Sequence, residues 1–127
     1  MIKWFEKHNA LSWAITILIA VFIFCLSGLV FGEGKVGGVE IRSWMSIAYH
    51  ISVFFLLSLF LFISLIKGKE NSKLFFFGIL ILLSYGIIDE IHQFLVPGRF
   101  CTVVDVLFDS IGILFAFMVY LISLRLR

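Results

Sequence analysis

The chain has 127 residues, of which 62% are hydrophobic and only 14% are charged. A soluble domain has roughly 45–50% apolar residues, so this composition indicates a membrane protein and excludes an ordinary soluble enzyme. The formal net charge is +2 and the basic residues form no stripe, so nucleic acid is not an expected partner. The expected partner is the lipid bilayer.

Four apolar runs follow one another along the chain, at residues 10–31, 44–66, 74–96 and 104–124. Each run is close to the ~20 residues that a helix needs to cross a bilayer. The first run is too long for the apolar part of a signal peptide, and no small-residue cleavage site follows it, so we expect it to remain as a span. These runs predict an all-α membrane protein, a four-transmembrane-helix bundle that forms a single domain over residues 1–127.

Basic residues are unevenly divided between the two sets of loops. The N-terminus, the second loop and the C-terminus together carry Lys3, Lys7, Lys67, Lys69, Lys73, Arg125 and Arg127, whereas the other side carries only Lys35, Arg42 and Arg99. Because cytoplasmic loops are enriched in lysine and arginine, both termini are predicted to be cytoplasmic. The glycine-rich first loop is then external, and we expect it to form a short hairpin or a re-entrant piece.

The most unusual stretch joins the third and fourth runs and reads DEIHQFLVPGRFCTVVDVLFDSIG, from Asp89 to Gly112. Its polar residues are Asp89, Glu90, His92, Gln93, Arg99, Asp105 and Asp109. An ionisable group at membrane depth costs roughly 2.5–3.5 kcal/mol on insertion scales. These groups must therefore satisfy one another, take part in chemistry, or do both.

Helical rise places several of these residues at one depth in the membrane. Asp89 lies about 10 Å, and His50 about 9 Å, below the outer ends of their predicted helices. Asp105 and Asp109 fall in the first two turns of the fourth helix, at a similar level. We therefore expect a polar site in the outer leaflet, lining a cavity that opens outward.

Helical spacing assigns faces to the residues of the third helix. Asp89, His92 and Gln93 are spaced i, i+3 and i+4, so they share one face. Tyr85 lies one turn earlier on that face and can supply a hydroxyl group. Glu90 is rotated by about 100° and is expected to face a different neighbour.

The fourth helix places Asp105, Asp109 and Gly112 on one face as well. Gly112 and Ala116 form a pair of small residues that lets another helix approach closely, and the third helix is the expected neighbour. The two aspartates are candidate ligands for a divalent cation.

Each of these residues has a structural and a functional interpretation. The carboxylates, His92 and Arg99 can form a network that only fastens the hairpin, yet four carboxylates against one arginine leave excess negative charge. His92 is the candidate general base or acid, oriented by Asp89, with Glu90 and Asp109 as further catalytic candidates. Arg99 is either a carboxylate clamp or a reader of phosphate, and the other substrate-binding candidates are Gln93, Tyr85 and His50. A histidine in an apolar helix can also simply be hydrogen-bonded, here to Ser46.

The segments DEIHQ, VPGR and DVLFDSIG, in this order, resemble the signature of VanZ-like proteins, which are small bacterial integral membrane proteins. The resemblance implies a multi-pass protein of the bacterial cytoplasmic membrane, associated with resistance to the glycopeptide teicoplanin. Teicoplanin acts on a lipid-anchored cell-wall precursor at the outer face, so such a precursor is the expected partner. Near the start of their second helix these proteins often carry a basic residue and a histidine, with a tyrosine one turn later. His50 is the candidate for that histidine, whereas Ser46 and Ile47 precede it and Phe54 follows it.

Three functions agree with these features. The first is an enzyme that acts on a lipid-linked envelope molecule, and the second is a binding protein that shields or presents a cell-wall precursor. The third is a small transporter, because intramembrane carboxylates and histidines also form proton relays. No polar residue marks an exit path in the inner leaflet, which weighs against the transporter.

Overall fold

A computed structural model describes residues 1–29, 34–36, 39–41, 44–97 and 102–126. Its elements are α1 (Ile2–Lys7), α2 (Asn9–Ser27), β1 (Gly34–Val36), β2 (Val39–Ile41), α3 (Trp44–Ile66), α4 (Ser72–Phe94) and α5 (Val103–Arg125). Helices α2 to α5 are each long and apolar enough to cross a membrane, so the predicted bundle of four transmembrane helices is confirmed. The short helix α1 was not predicted, although its Ile2 and Phe5 pack against the core.

The connection between α2 and α3 contains the hairpin that its glycines favour. Strand β1 pairs antiparallel with β2, with Val36 opposite Val39. Since four spans return the chain to its starting side, both termini lie at one end of the bundle and the hairpin lies at the other. Which end faces the cytoplasm stays a prediction from the basic residues.

The turn between α3 and α4 follows from local sequence. Lys67 and Gly68 have φ angles of 52° and 75°, the left-handed conformation that ends a helix and that glycine adopts most easily. The side chain of Asn71 then accepts hydrogen bonds from the backbone N–H groups of Lys73 and Leu74, at 3.0 and 3.2 Å. With this cap α4 begins at Ser72, so five residues separate it from the end of α3 at Ile66.

Helix α5 packs most extensively on α3 rather than on α4. The contact is closest at Gly112, where a Cβ atom would lie 2.5 Å from the backbone oxygen of Ile51 and 2.9 Å from the backbone nitrogen of Phe55. The predicted close approach of another helix at Gly112 is therefore present. The predicted neighbour, the third transmembrane helix (α4), was wrong, because the neighbour is α3. Spacing within one helix identifies a contact face and not the neighbour that covers it.

Polar side chains join the helices at the end of the bundle that carries the termini. The hydroxyl of the fully buried Tyr120 donates to Glu6 Oε1 at 2.7 Å and accepts from the backbone N–H of Gly68 at 3.1 Å. Thr16 of α2 lies 3.3 Å from Ser64 of α3, oxygen to oxygen. These bonds fix α1, α2, α3 and α5 relative to one another and leave the opposite end for a different polar cluster.

Candidate functional site

Three helices bring polar residues together at the end of the bundle opposite the termini. His50 lies in the second turn of α3, Glu90 in the last turns of α4, and Asp105 and Asp109 in the first turns of α5. The side chains are almost completely buried, with exposed fractions of 2% for His50, 2% for Asp89, 3% for Glu90, 1% for Gln93, 3% for Asp105 and 1% for Asp109. We call these six residues the polar cluster.

His50 is held between the two aspartates of α5. Its Nδ1 lies 2.9 Å from Asp109 Oδ1, and its Nε2 lies 3.7 Å from Asp105 Oδ1. When Asp109 is ionised its carboxylate only accepts hydrogen bonds, and the tautomer of His50 that pairs with it carries the proton on Nδ1. His50 was expected either to belong to the polar site or simply to be hydrogen-bonded to Ser46. The structure supports the first interpretation, because the ring is hydrogen-bonded to Asp109 across the α3–α5 interface.

Thr102, at the N-cap of α5, connects two of the carboxylates. Its hydroxyl donates to Asp105 Oδ2 at 2.9 Å, and its backbone N–H donates to Glu90 Oε2 at 3.0 Å. Asp105 lies in the first turn of α5, where the helix dipole stabilises a negative charge. Sequence reasoning missed Thr102, although a threonine three residues before an acidic residue is a known helix-start pattern.

Gly86 makes room for Asp109 against α4. A Cβ atom at Gly86 would lie 3.2 Å from Asp109 Oδ2 and 3.4 Å from the ring of Phe54. Glu90 is four residues further along α4 and so lies on the same face as Gly86. Sequence reasoning missed Gly86 too, and the available signal was a glycine one turn before the two acidic residues.

Asp89 Oδ1 and Asp109 Oδ2 are buried carboxylate oxygens without a hydrogen-bond donor among the described residues. The other oxygen of Asp89 accepts from Gln93 Nε2 at 2.9 Å, which confirms that these two residues share a face. Leaving a buried acceptor unsatisfied costs roughly 1–3 kcal/mol, and more when it is charged. A cluster that served only to stabilise the fold would be expected to satisfy these atoms.

His92 lies apart from the carboxylates. Its ring is half-buried and stacks on Phe24 of α2, with centroids 4.0 Å apart. No hydrogen bond or ion pair joins it to a carboxylate within the described part of the chain, so the predicted pairing with Asp89 was wrong. The i, i+3 spacing allowed that contact, but α2 covers this side of α4 and provides an aromatic partner instead.

Tyr85 is also turned toward α2, where its hydroxyl donates to the backbone oxygen of Ala20 at 2.6 Å. Glu90 faces a different neighbour from Tyr85 and His92, as its rotation about the helix predicted, since those two side chains contact α2. It lies with His50 and Asp109, because α4 contacts α2, α3 and α5 and is buried on more than one face.

The structure also bears on the cation-binding prediction. Among the described residues, His50, Glu90 and Asp109 offer ligand atoms that all lie within 4.8 Å of one another. This group contains Asp109 but not Asp105, whose role as a ligand stays a prediction. The clustered side chains are almost completely buried, and the outward opening of the site stays a prediction. Arg99 lies outside the described residues, and its two predicted roles stay predictions.

The chemistry available to this arrangement is that of an imidazole among carboxylates. An aspartate that accepts from Nδ1–H fixes the tautomer and the orientation of the ring, which suits Nε2 to proton transfer or to metal binding. The same oxygen and nitrogen atoms can bind a cation. Such groups inside a membrane are expensive, and they mark functional sites more often than structural ones.

The comparison with known families agrees with the fold and with the motif around this site. The chain matches the VanZ/LLP1 family over residues 3–124, which is nearly its whole length. It has no match among curated proteins or among solved structures. Apart from Arg125 at the end of α5, the matched region contains all four transmembrane helices, and it contains every residue of the polar cluster. This multi-pass membrane protein therefore belongs to the VanZ/LLP1 family.

Proposed function

We propose that the chain binds or acts on a lipid-linked cell-envelope molecule at the outer face of the bacterial cytoplasmic membrane, and thereby contributes to resistance to glycopeptides such as teicoplanin. The observation that carries the proposal is the buried contact of His50 with Asp109 and Asp105, with Glu90 beside it. A titratable imidazole among carboxylates is an arrangement for recognising a polar head group or for moving a proton.

His50 is the better candidate for the general acid or base. Asp109 orients its ring through Nδ1, and both lie at the centre of the polar cluster. His92 keeps one ring face against Phe24 and lacks a carboxylate that would orient it in the described chain. The predicted catalytic role thus moves from α4 to α3, while Asp109 and Glu90 keep the roles proposed for them.

A groove on the membrane-facing side supports a substrate that carries a lipid. It has a volume of about 400 Å³, lies between α3 and α5, and is lined by Ile51, Ser52, Phe55, Leu56, Phe115 and Val119. Its lining begins at the residue after His50 and is almost entirely apolar. We assign to it the hydrocarbon chain of the lipid-linked molecule, whose polar head would then lie beside the cluster.

The orientation of the bundle is the first testable part of the proposal. The excess of basic residues on the side of the termini predicts that a reporter fused after Arg127 is active in the cytoplasm. The polar cluster, at the opposite end, then belongs to the outer leaflet. A paired set of fusions to alkaline phosphatase and green fluorescent protein measures this directly. Phosphatase activity at the C-terminus would move the cluster to the inner leaflet and contradict an outer-face substrate.

The function itself is tested in a teicoplanin-susceptible host. Expression of the chain is expected to raise the minimal inhibitory concentration of teicoplanin severalfold, because the site shields or modifies the precursor that the drug binds. Native mass spectrometry of the purified protein is expected to show a bound isoprenoid phosphate. Unchanged susceptibility together with the absence of such a lipid, at a verified level of protein in the membrane, would contradict the proposal.

A further inference from the structure

We propose that His50, Glu90 and Asp109 form a binding site for a divalent transition-metal cation. The inference deepens the function proposed above, because it assigns an inorganic ligand to the same polar cluster. The three side chains come from three different helices and offer one imidazole nitrogen and two carboxylate oxygens, all within 4.8 Å of one another.

The spacing suits a first-row metal ion. Nitrogen and oxygen ligands lie about 2.0–2.2 Å from such an ion, so ligand atoms on opposite sides of it are about 4.2 Å apart. The three side chains therefore need only small rotations to reach a shared ion. A set of one imidazole and two carboxylates favours Zn²⁺ or Mn²⁺, since Ca²⁺ and Mg²⁺ prefer oxygen ligands alone.

Asp109 supplies a second observation that points to a ligand. Its Oδ1 is used by His50, but its Oδ2 accepts no hydrogen bond from the described residues although the side chain is only 1% exposed. That oxygen lies against α4 at Gly86, on the face that also carries Glu90. It is therefore directed toward the other carboxylate of the proposed site, where a cation would satisfy it.

Neighbouring groups complete the surroundings of such an ion. Glu90 Oε2 is oriented by the backbone N–H of Thr102, and Asp105 lies 3.7 Å from His50 Nε2. The hydrogen bond from Thr102 is of the kind that holds a metal ligand in place and is typical of the shell around a metal. Three protein ligands leave at least one position on the ion for water or for an oxygen of a phosphate head group.

The alternative occupant of this space is a proton on His50, which would form ion pairs with Asp105 and Asp109. Metal binding by the purified full-length protein in detergent separates the two. We expect about one equivalent of Zn²⁺ per chain by elemental analysis, and an increase in the unfolding temperature when Zn²⁺ or Mn²⁺ is returned to chelator-treated protein. With Mn²⁺ bound, pulsed electron paramagnetic resonance is expected to show coupling to a histidine nitrogen.

Variants assign the ion to these residues. Glu90→Gln and Asp109→Asn keep the side-chain volumes but remove a charge, and each is expected to weaken binding at least about tenfold. Glu6→Gln is the matched control, because Glu6 is a partly buried carboxylate at the other end of the bundle. It should bind metal as the wild-type chain does.

Metal that binds with no nitrogen coupling, metal that binds equally well to both variants, or the absence of stoichiometric binding to the wild-type chain would each overturn the site. If both variants fail to fold, the nitrogen coupling in the wild-type chain decides alone. These measurements use no substrate, so their failure leaves the proposed envelope function to the susceptibility test.

Discussion

Gly112→Ala is expected to destabilise the bundle by roughly 2 kcal/mol or more, an unusually large effect for the addition of one methyl group. The new Cβ would meet the backbone of α3 at 2.5 Å from Ile51 O and 2.9 Å from Phe55 N, and a backbone cannot rotate away as a side chain can. The gain in helix propensity, about 1 kcal/mol, offsets only part of this cost. The measurement is the thermal unfolding temperature in detergent.

Gly78→Ala is the matched control, since Gly78 is another buried glycine in a transmembrane helix. Its Cβ would meet only side-chain atoms, the nearest being Phe62 Cε1 at 3.1 Å, so a change within about 1 kcal/mol is expected. Asp109 lies one turn before Gly112 on α5. If Gly112→Ala forces α5 away from α3, the hydrogen bond between Asp109 and His50 is also expected to lengthen. A Gly112→Ala protein that is as stable and as active as the wild type would contradict the close approach.

His50→Asn is expected to reduce teicoplanin resistance to the level of cells without the protein, while leaving the protein folded in the membrane. The asparagine amide can still donate to Asp109 from near the position of Nδ1, but the titrating ring and Nε2 are lost. If the site is catalytic, removing a general acid or base lowers the rate by roughly 10²-fold to 10⁴-fold. Asp109→Asn is expected to have the same effect, because the ring of His50 would lose its charged partner.

The informative quantity is teicoplanin resistance divided by the amount of folded protein. Loss of the His50–Asp109 bond alone costs about 1–3 kcal/mol, which a four-helix bundle can tolerate. If resistance falls only in proportion to abundance, the polar cluster is a structural network. His92→Asn, measured beside these variants, distinguishes the two histidines, and a loss with His92→Asn but not with His50→Asn would return the catalytic role to α4.

Much of the architecture followed from local sequence. The length and composition of the four apolar runs predicted α2 to α5, because a bilayer fixes the length of a spanning helix. The first transmembrane helix, α2, ends at Ser27 with Gly28 at its C-cap, whereas the first apolar run continues to residue 31. Composition alone does not define such a boundary. Helix α1 was not predicted, because its six residues are too few to show a periodic pattern of apolar residues.

The site was predicted less completely, for a reason that the individual residues make clear. Helical rise placed His50, Asp89, Asp105 and Asp109 at one depth, since rise per residue is constant in any α-helix. Their partners depend instead on how each helix is rotated about its axis. His92 was therefore paired with Asp89 in the prediction and lies on Phe24 in the structure.

The sequence by itself determined the membrane class, the number of spans, the family motif and the level at which polar residues collect, because these depend on composition and on distances along one helix. Only the tertiary structure decided that α5 packs on α3 at Gly112 and that His50 lies between Asp105 and Asp109. It also decided that Glu90 joins them and that His92 does not. Contacts between helices depend on the fit of whole surfaces, and no spacing within a single helix contains that information.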